Sequence, residues 1–94
     1  MPVEQAPQAI EDAFKGAATE VAATATDATA AMKADEPVVV LESLQELSQR
    51  PDITDEQRAT AARAMAAYLQ KAREAAEKGD KKAEDALQHY RATK

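Results

Sequence analysis

The chain has no cysteine and no tryptophan, and only one histidine, one phenylalanine, two tyrosines and two glycines in 94 residues. Without cysteine there can be no disulfide, no thiolate nucleophile and no thiolate metal site. A single histidine, His89, rules out His-pair metal sites and the H-E-x-x-H motif. Gly16 and Gly79 stand alone, so no glycine-rich loop is available to cradle a phosphate. No apolar run approaches the ~18 residues of a membrane span. The opening residues, MPVEQAP, lack the basic start and apolar stretch of a signal peptide. That fits either a cytoplasmic protein or an exported mature form whose leader has been removed; the expectation is a soluble chain of undetermined compartment.

Charge of one sign is also scarce in places. The net charge is −5. Residues 1–56 carry twelve acids and three bases, a net −9, whereas residues 71–94 carry seven bases and five acids, a net +2. Overall acidity argues against a nucleic-acid partner, which selects a basic face. The basic run Lys71, Arg73, Lys78, Lys81, Lys82 is interleaved with acids and has no aromatics for base stacking. The asymmetry suggests that the two ends pack against each other or against a second copy; the plainer reading is a solvated helical surface.

What is present is alanine, roughly a quarter of the chain, and about seventeen bulky apolar residues. Each fully buried aliphatic contributes about 1.5–3 kcal/mol, enough for one small bundle with little to spare. A single domain over residues 1–94 is expected, with residues 1–17 a candidate flexible N-terminal segment.

Residues 36–49, EPVVVLESLQELSQ, are the ambiguous stretch. As a strand, VVVL needs a pairing partner, and no other segment offers a β-branched run or hairpin turn. As a helix it places Val40, Leu44 and Leu47 at i, i+4, i+7, with Leu41 widening the face. Asp35 or Glu36 is the expected cap, and Pro37 suits the first turn. Val38, Val39 and Val40 together predict burial on more than one side.

Thr54 followed three residues later by Gln57 is a capping box, so a helix over about 55–78 follows. Its expected stripe is Arg58, Ala61, Ala62, Met65, Leu69, Ala72 and Ala76. Gly79 stops it and Asp80 starts another helix to about Ala92, facing inward with Ala83, Ala86, Leu87 and Tyr90. Towards the N-terminus, Val3, Ala6, Ile10, Ala13, Phe14 and Ala17 form one stripe, and Val21, Ala25, Ala28 and Met32 another made mostly of small residues. The threonines of 18–34 weaken that helix, and a partly melted segment is the alternative. The expectation is all-α: a small antiparallel bundle of about five helices, 4–15, 18–34, 36–49, 55–78 and 80–92.

Residues 24–53 resemble one degenerate tetratricopeptide unit, a helix–turn–helix with small residues where the helices meet and a proline at the end. Ala28 matches the small position of the first helix, Leu44 and Leu47 later packing positions of the second, and Pro51 its close. Val40 and Asp35 stand where the family has alanine and glycine, and the resemblance covers this one unit. It implies a TPR-like arrangement and binding of a protein or peptide.

Candidate chemistry is sparse. Asp85 lies four residues before His89, which predicts an Asp–His contact on one helix face, more naturally a surface pair than a catalytic dyad. Ser43 and Ser48 have no G-x-S-x-G context. Glu42 with Glu46, and Asp80 with Glu84, share helix faces but lack the Glu-x-x-His motif of carboxylate metal bundles. No catalytic, cofactor or metal site is expected. Tyr68, Tyr90 and Met65 are the candidate partner-binding residues, tyrosine being frequent at interface hot spots. Tyr68 falls off the Met65/Leu69 stripe, which makes it the better surface contact of the two tyrosines. The leading expectation is a non-catalytic protein- or peptide-binding module. The alternative is a structural subunit that self-associates through the small-residue helix 18–34, and a homo-oligomer fits either.

Overall fold

The computed structural model describes residues 1–93, and the valine run is helical. Among the described residues the chain forms one 3-10 turn, Val3–Gln5, and five α-helices with no strand: α1 (Ala6–Ala13), α2 (Thr19–Lys33), α3 (Pro37–Gln49), α4 (Asp55–Glu77) and α5 (Lys81–Thr93). The all-α bundle expected from periodicity is what forms. Short turns join successive helices, and α3 lies at the centre, packed against α2, α4 and α5. Among the described residues no helix is long and apolar enough to cross a membrane.

α3 is central because its apolar residues run round it. Val40, Leu41, Leu44 and Leu47 are all buried, Leu44 and Leu47 completely. Burying each of these contributes about 1.5–3 kcal/mol. Of the first turn expected to be buried on more than one side, Val40 is buried and Val38 half-buried, but Val39 is 37% exposed. Successive helical residues point about 100° apart, so three in a row span about 200° and one must face away from any single layer of neighbours.

α2 is a continuous helix despite its threonines. Thr24 donates its hydroxyl to the Glu20 carbonyl at 3.2 Å and Thr29 to that of Thr26 at 3.0 Å. Each hydroxyl is satisfied within its own helix, so both threonines can be buried. Val21, Ala25, Ala28 and Met32 are buried as the stripe predicted. The small side chains let α2 lie between α1 and α3.

The N-terminal segment packs into the core through Ala6, Ile10 and Phe14. α1 is shorter than the predicted 4–15. Phe14 leaves helical geometry, with φ −102° and ψ 10°, and Gly16 takes φ +79° to turn the chain towards α2.

Two further expectations are corrected. Asp35 does not cap α3; it ends α2. Its φ of +56° is left-handed, its N–H bonds the Met32 carbonyl at 3.3 Å, and the Glu36 N–H reaches the Ala31 carbonyl at 3.0 Å. This is the Schellman closure, with aspartate where glycine is usual. Glu36 stands at the start of α3 but its side chain makes no capping bond. In α4 the buried face is Ala61, Ala64, Met65, Tyr68 and Ala72, while Ala62 is exposed. The stripe is rotated because Tyr68, the largest side chain available, takes the inward position and leaves Leu69 at the edge.

The remaining boundaries agree with their signals. Thr54 and Gln57 form the reciprocal capping box at 3.0 and 2.9 Å. Gly79 closes α4 at φ +91°, with the Asp80 N–H bonded to the Ala75 carbonyl at 3.1 Å. The Asp80 carboxylate accepts from the Lys82 and Ala83 N–H groups at the start of α5.

Candidate functional site

The α2–α3 and α4–α5 turns come together at one end of the bundle. There the end of α2, the starts of α3 and α5 and the last turns of α4 surround a narrow slot of about 40 Å³. That is room for a few waters at most, and far below the roughly 300 Å³ at which pockets for drug-sized ligands begin. Asp35, Glu36 and Asp80 carry its negative charge, Val40, Ala72 and Ala83 are among its apolar walls, and Tyr68 and Lys71 also line it. Lys71 Nζ lies 5.5 Å from the centroid of the Tyr68 ring and 3.8 Å from Asp35 Oδ1. The first distance is a cation–π contact and the second a long, solvent-exposed ion pair.

Tyr68 is only 8% exposed. The expectation that it is the better surface contact is therefore reversed: Tyr68 is a core residue and Tyr90 is the more exposed. Burial pushes the Tyr68 hydroxyl's pKa up, and the Asp35 and Glu4 carboxylates add to the shift by repelling a phenolate. Met65 is likewise buried. Tyr90 is half-buried against the main core cluster. The three residues singled out from sequence thus serve this chain's own packing, and of them only Tyr68 lines the slot.

Beside the slot, and sharing Glu36 and Pro37 with it, runs a shallow groove of about 270 Å³ between the first turn of α3 and α5. Val38 and Val39 line one side, Lys82 and Asp85 the other. Among the described residues, Val39 is one of two large hydrophobic residues exposed on the surface, the other being Met1. Slot and groove adjoin through Glu36 and Pro37, and both mix apolar with charged lining residues. The triple valine is the sequence signal for the groove.

The other candidates lie apart. His89 Nε2 sits 3.1 Å from Glu42 Oε2, which links α5 to α3 across an exposed surface. Ser43 is buried, and Ser48 donates to the Gln45 carbonyl within its own helix. Among the described residues no three His, Asp or Glu side chains come together in a way that could hold a metal ion. No family model, curated protein or solved structure matches this chain.

Proposed function

We propose that this chain is a non-catalytic helical module that binds a protein or peptide across the surface formed by the slot and the Val38–Val39 groove. The observation that carries this reading is Val39. A β-branched aliphatic stands exposed in the first turn of a helix whose other bulky apolar residues, apart from the half-buried Val38, are buried. The surface combines exposed apolar residues with charged ones, a common composition of contact surfaces. The likeness of residues 24–53 to a tetratricopeptide unit points to the same class of function. Self-association through α2, the competing reading, is less favoured because the stripe of Val21, Ala25, Ala28 and Met32 is already covered within the chain.

The test is selection of peptides from a random library on the immobilised full chain, with Val39→Asp as the counter-screen. Enriched peptides are expected to bind the variant at least tenfold more weakly. Failure to enrich, or binding indifferent to Val39→Asp, overturns the reading. Sedimentation over a concentration series completes it: a dimer that Val39→Asp dissociates would assign the surface to a second copy.

A further inference from the structure

Very little in the sequence keeps α4 and α5 from being a single helix. Residues 74–84 read EAAEKGDKKAE, and apart from Gly79 and Asp80 all of them are strong helix formers. The turn between the two helices spans only Lys78, Gly79 and Asp80. It depends on Gly79 at φ +91°, where a Cβ would meet nothing within 4 Å, so backbone conformation and not packing calls for glycine. The other turns cannot straighten in the same way. Pro37 and Pro51 would break a helix carried through them, and the end of α1 is held by the Gln57 bond to the Ala13 carbonyl.

α5 is also lightly committed to the bundle. Ala83 and Leu87 pack with Ala72 of α4 in a small cluster apart from the main core. To the main core α5 adds Ala86 and the half-buried Tyr90. Its link from His89 to Glu42 of α3 lies on an exposed surface. Leu87 and Tyr90 are its two bulky apolar side chains, whereas α3 buries Val40, Leu41, Leu44 and Leu47. A segment with few buried apolar contacts opens locally, at less cost than global unfolding.

We propose that Gly79 is a hinge through which two copies of this chain exchange α5. When residues 78–80 turn helical, α4 and α5 run on as one helix from Asp55 to Thr93, and α5 settles on α3 and α4 of the second copy. The second copy returns its own α5, which gives a two-fold dimer. No new complementarity is needed, because each α5 packs on α3 and α4 as it does in the monomer. Glycine holds the monomer at low concentration for two reasons: it takes the left-handed turn without strain, and it is a poor residue inside a helix. The exchange involves α5 and its bed, and so goes beyond the binding of a peptide at Val38–Val39.

Sedimentation of the full chain over a concentration series tests it. Gly79→Ala strains the turn and favours the continuous helix in both copies, so its dimer dissociation constant should lie at least about a hundredfold below that of the parent chain. Gly79→Asn, which accepts a left-handed turn more readily than alanine, is expected to dimerise less than Gly79→Ala. In a dimer mixed from isotope-labelled and unlabelled chains, Leu87 of one copy is expected to contact Ala72 of the other. A Gly79→Ala chain that stays monomeric, stronger dimerisation of Gly79→Asn, or contacts between copies elsewhere overturn the proposal. Amide hydrogen exchange of the parent chain tests the release of α5 without any substitution. Protection factors at residues 84–92 should be at least about tenfold lower than at residues 40–47. Equal protection would mean that α5 leaves only on global unfolding, which also overturns the proposal.

Discussion

The two ends of the bundle are built differently. At the end where α1 and α3 finish and α4 begins, side chains tie the helices together. Arg58 donates to the carbonyls of Ser48 and Arg50, the second at 2.8 Å, and so satisfies the end of α3. Gln57 completes the capping box and also donates to the Ala13 carbonyl at 3.1 Å, at the end of α1. Arg50 grips Asp52 with two parallel bonds of 2.9 Å and reaches Glu20 at 3.5 Å. At the opposite end the backbone closes α2 and α4 by itself, and the side chains of Glu36, Lys71 and Val39 are left at the surface. Polar groups committed to the fold at one end are unavailable for anything else, whereas at the other end Asp80 caps α5 but Glu36 makes no capping bond and the Lys71–Asp35 pair is long and exposed. The open end is for that reason the place to look for a partner.

Substitutions that compare the ends sharpen this contrast. The largest effect is expected from Leu47→Ala, which empties a completely buried site near the tied end. It should destabilise by about 3 kcal/mol in urea unfolding, against no more than about 0.5 kcal/mol for Val39→Ala at the open end. Equal losses would mean that Val39 is part of the core. Next comes Arg58→Ala, expected to cost about 2 kcal/mol because two helix-end carbonyls lose a charged donor. Lys71→Ala, at the open end, should cost less than about 1 kcal/mol in the same assay.

The two backbone closures of the open end can be compared directly. Gly79→Ala meets no neighbouring atom within 4 Å, so its cost is the left-handed backbone alone, about 1 kcal/mol. Asp35→Gly relieves the same strain and should raise stability by about 0.5–1 kcal/mol, read as a higher melting temperature. The smallest effect concerns pH. The hydrogen bonds from Arg50 hold the Asp52 carboxyl below its ordinary pKa. A lowered carboxyl pKa stabilises the fold above the unfolded value, near pH 4, and the gain is lost as pH falls from there through the folded value. Asp52→Asn should therefore narrow its stability gap from the parent chain between neutral pH and pH 3. A gap that widens on acidification would show that the Arg50 fork does not form.

Local signals read well from the sequence. The capping box at Thr54, the stop at Gly79, the helical α3 face and the stripes of α1, α2 and α5 each depend on residues within one or two turns of one another. Placement across helices did not read so well. Tyr68 and Leu69 both offer an apolar side chain to the α4 face, and the neighbours of α4 decide which turns inward. His89 has Asp85 at helical spacing, and the fold also brings it Glu42 of α3, which no local spacing shows. Asp35 is a plausible cap by residue type, yet the turn requires a left-handed residue there. The slot was not visible at all, since its acids, lysine and tyrosine come from four helices or their ends.

Hydrophobic period, capping chemistry and glycine placement thus determined by themselves that this chain is a five-helix, all-α fold, because each acts through neighbours along the chain. Which valine is left in solvent, that Tyr68 is buried and that Lys71 meets Asp35 were decided only by the tertiary packing. A helix presents several faces with similar burial energies, and only its neighbours in space select among them.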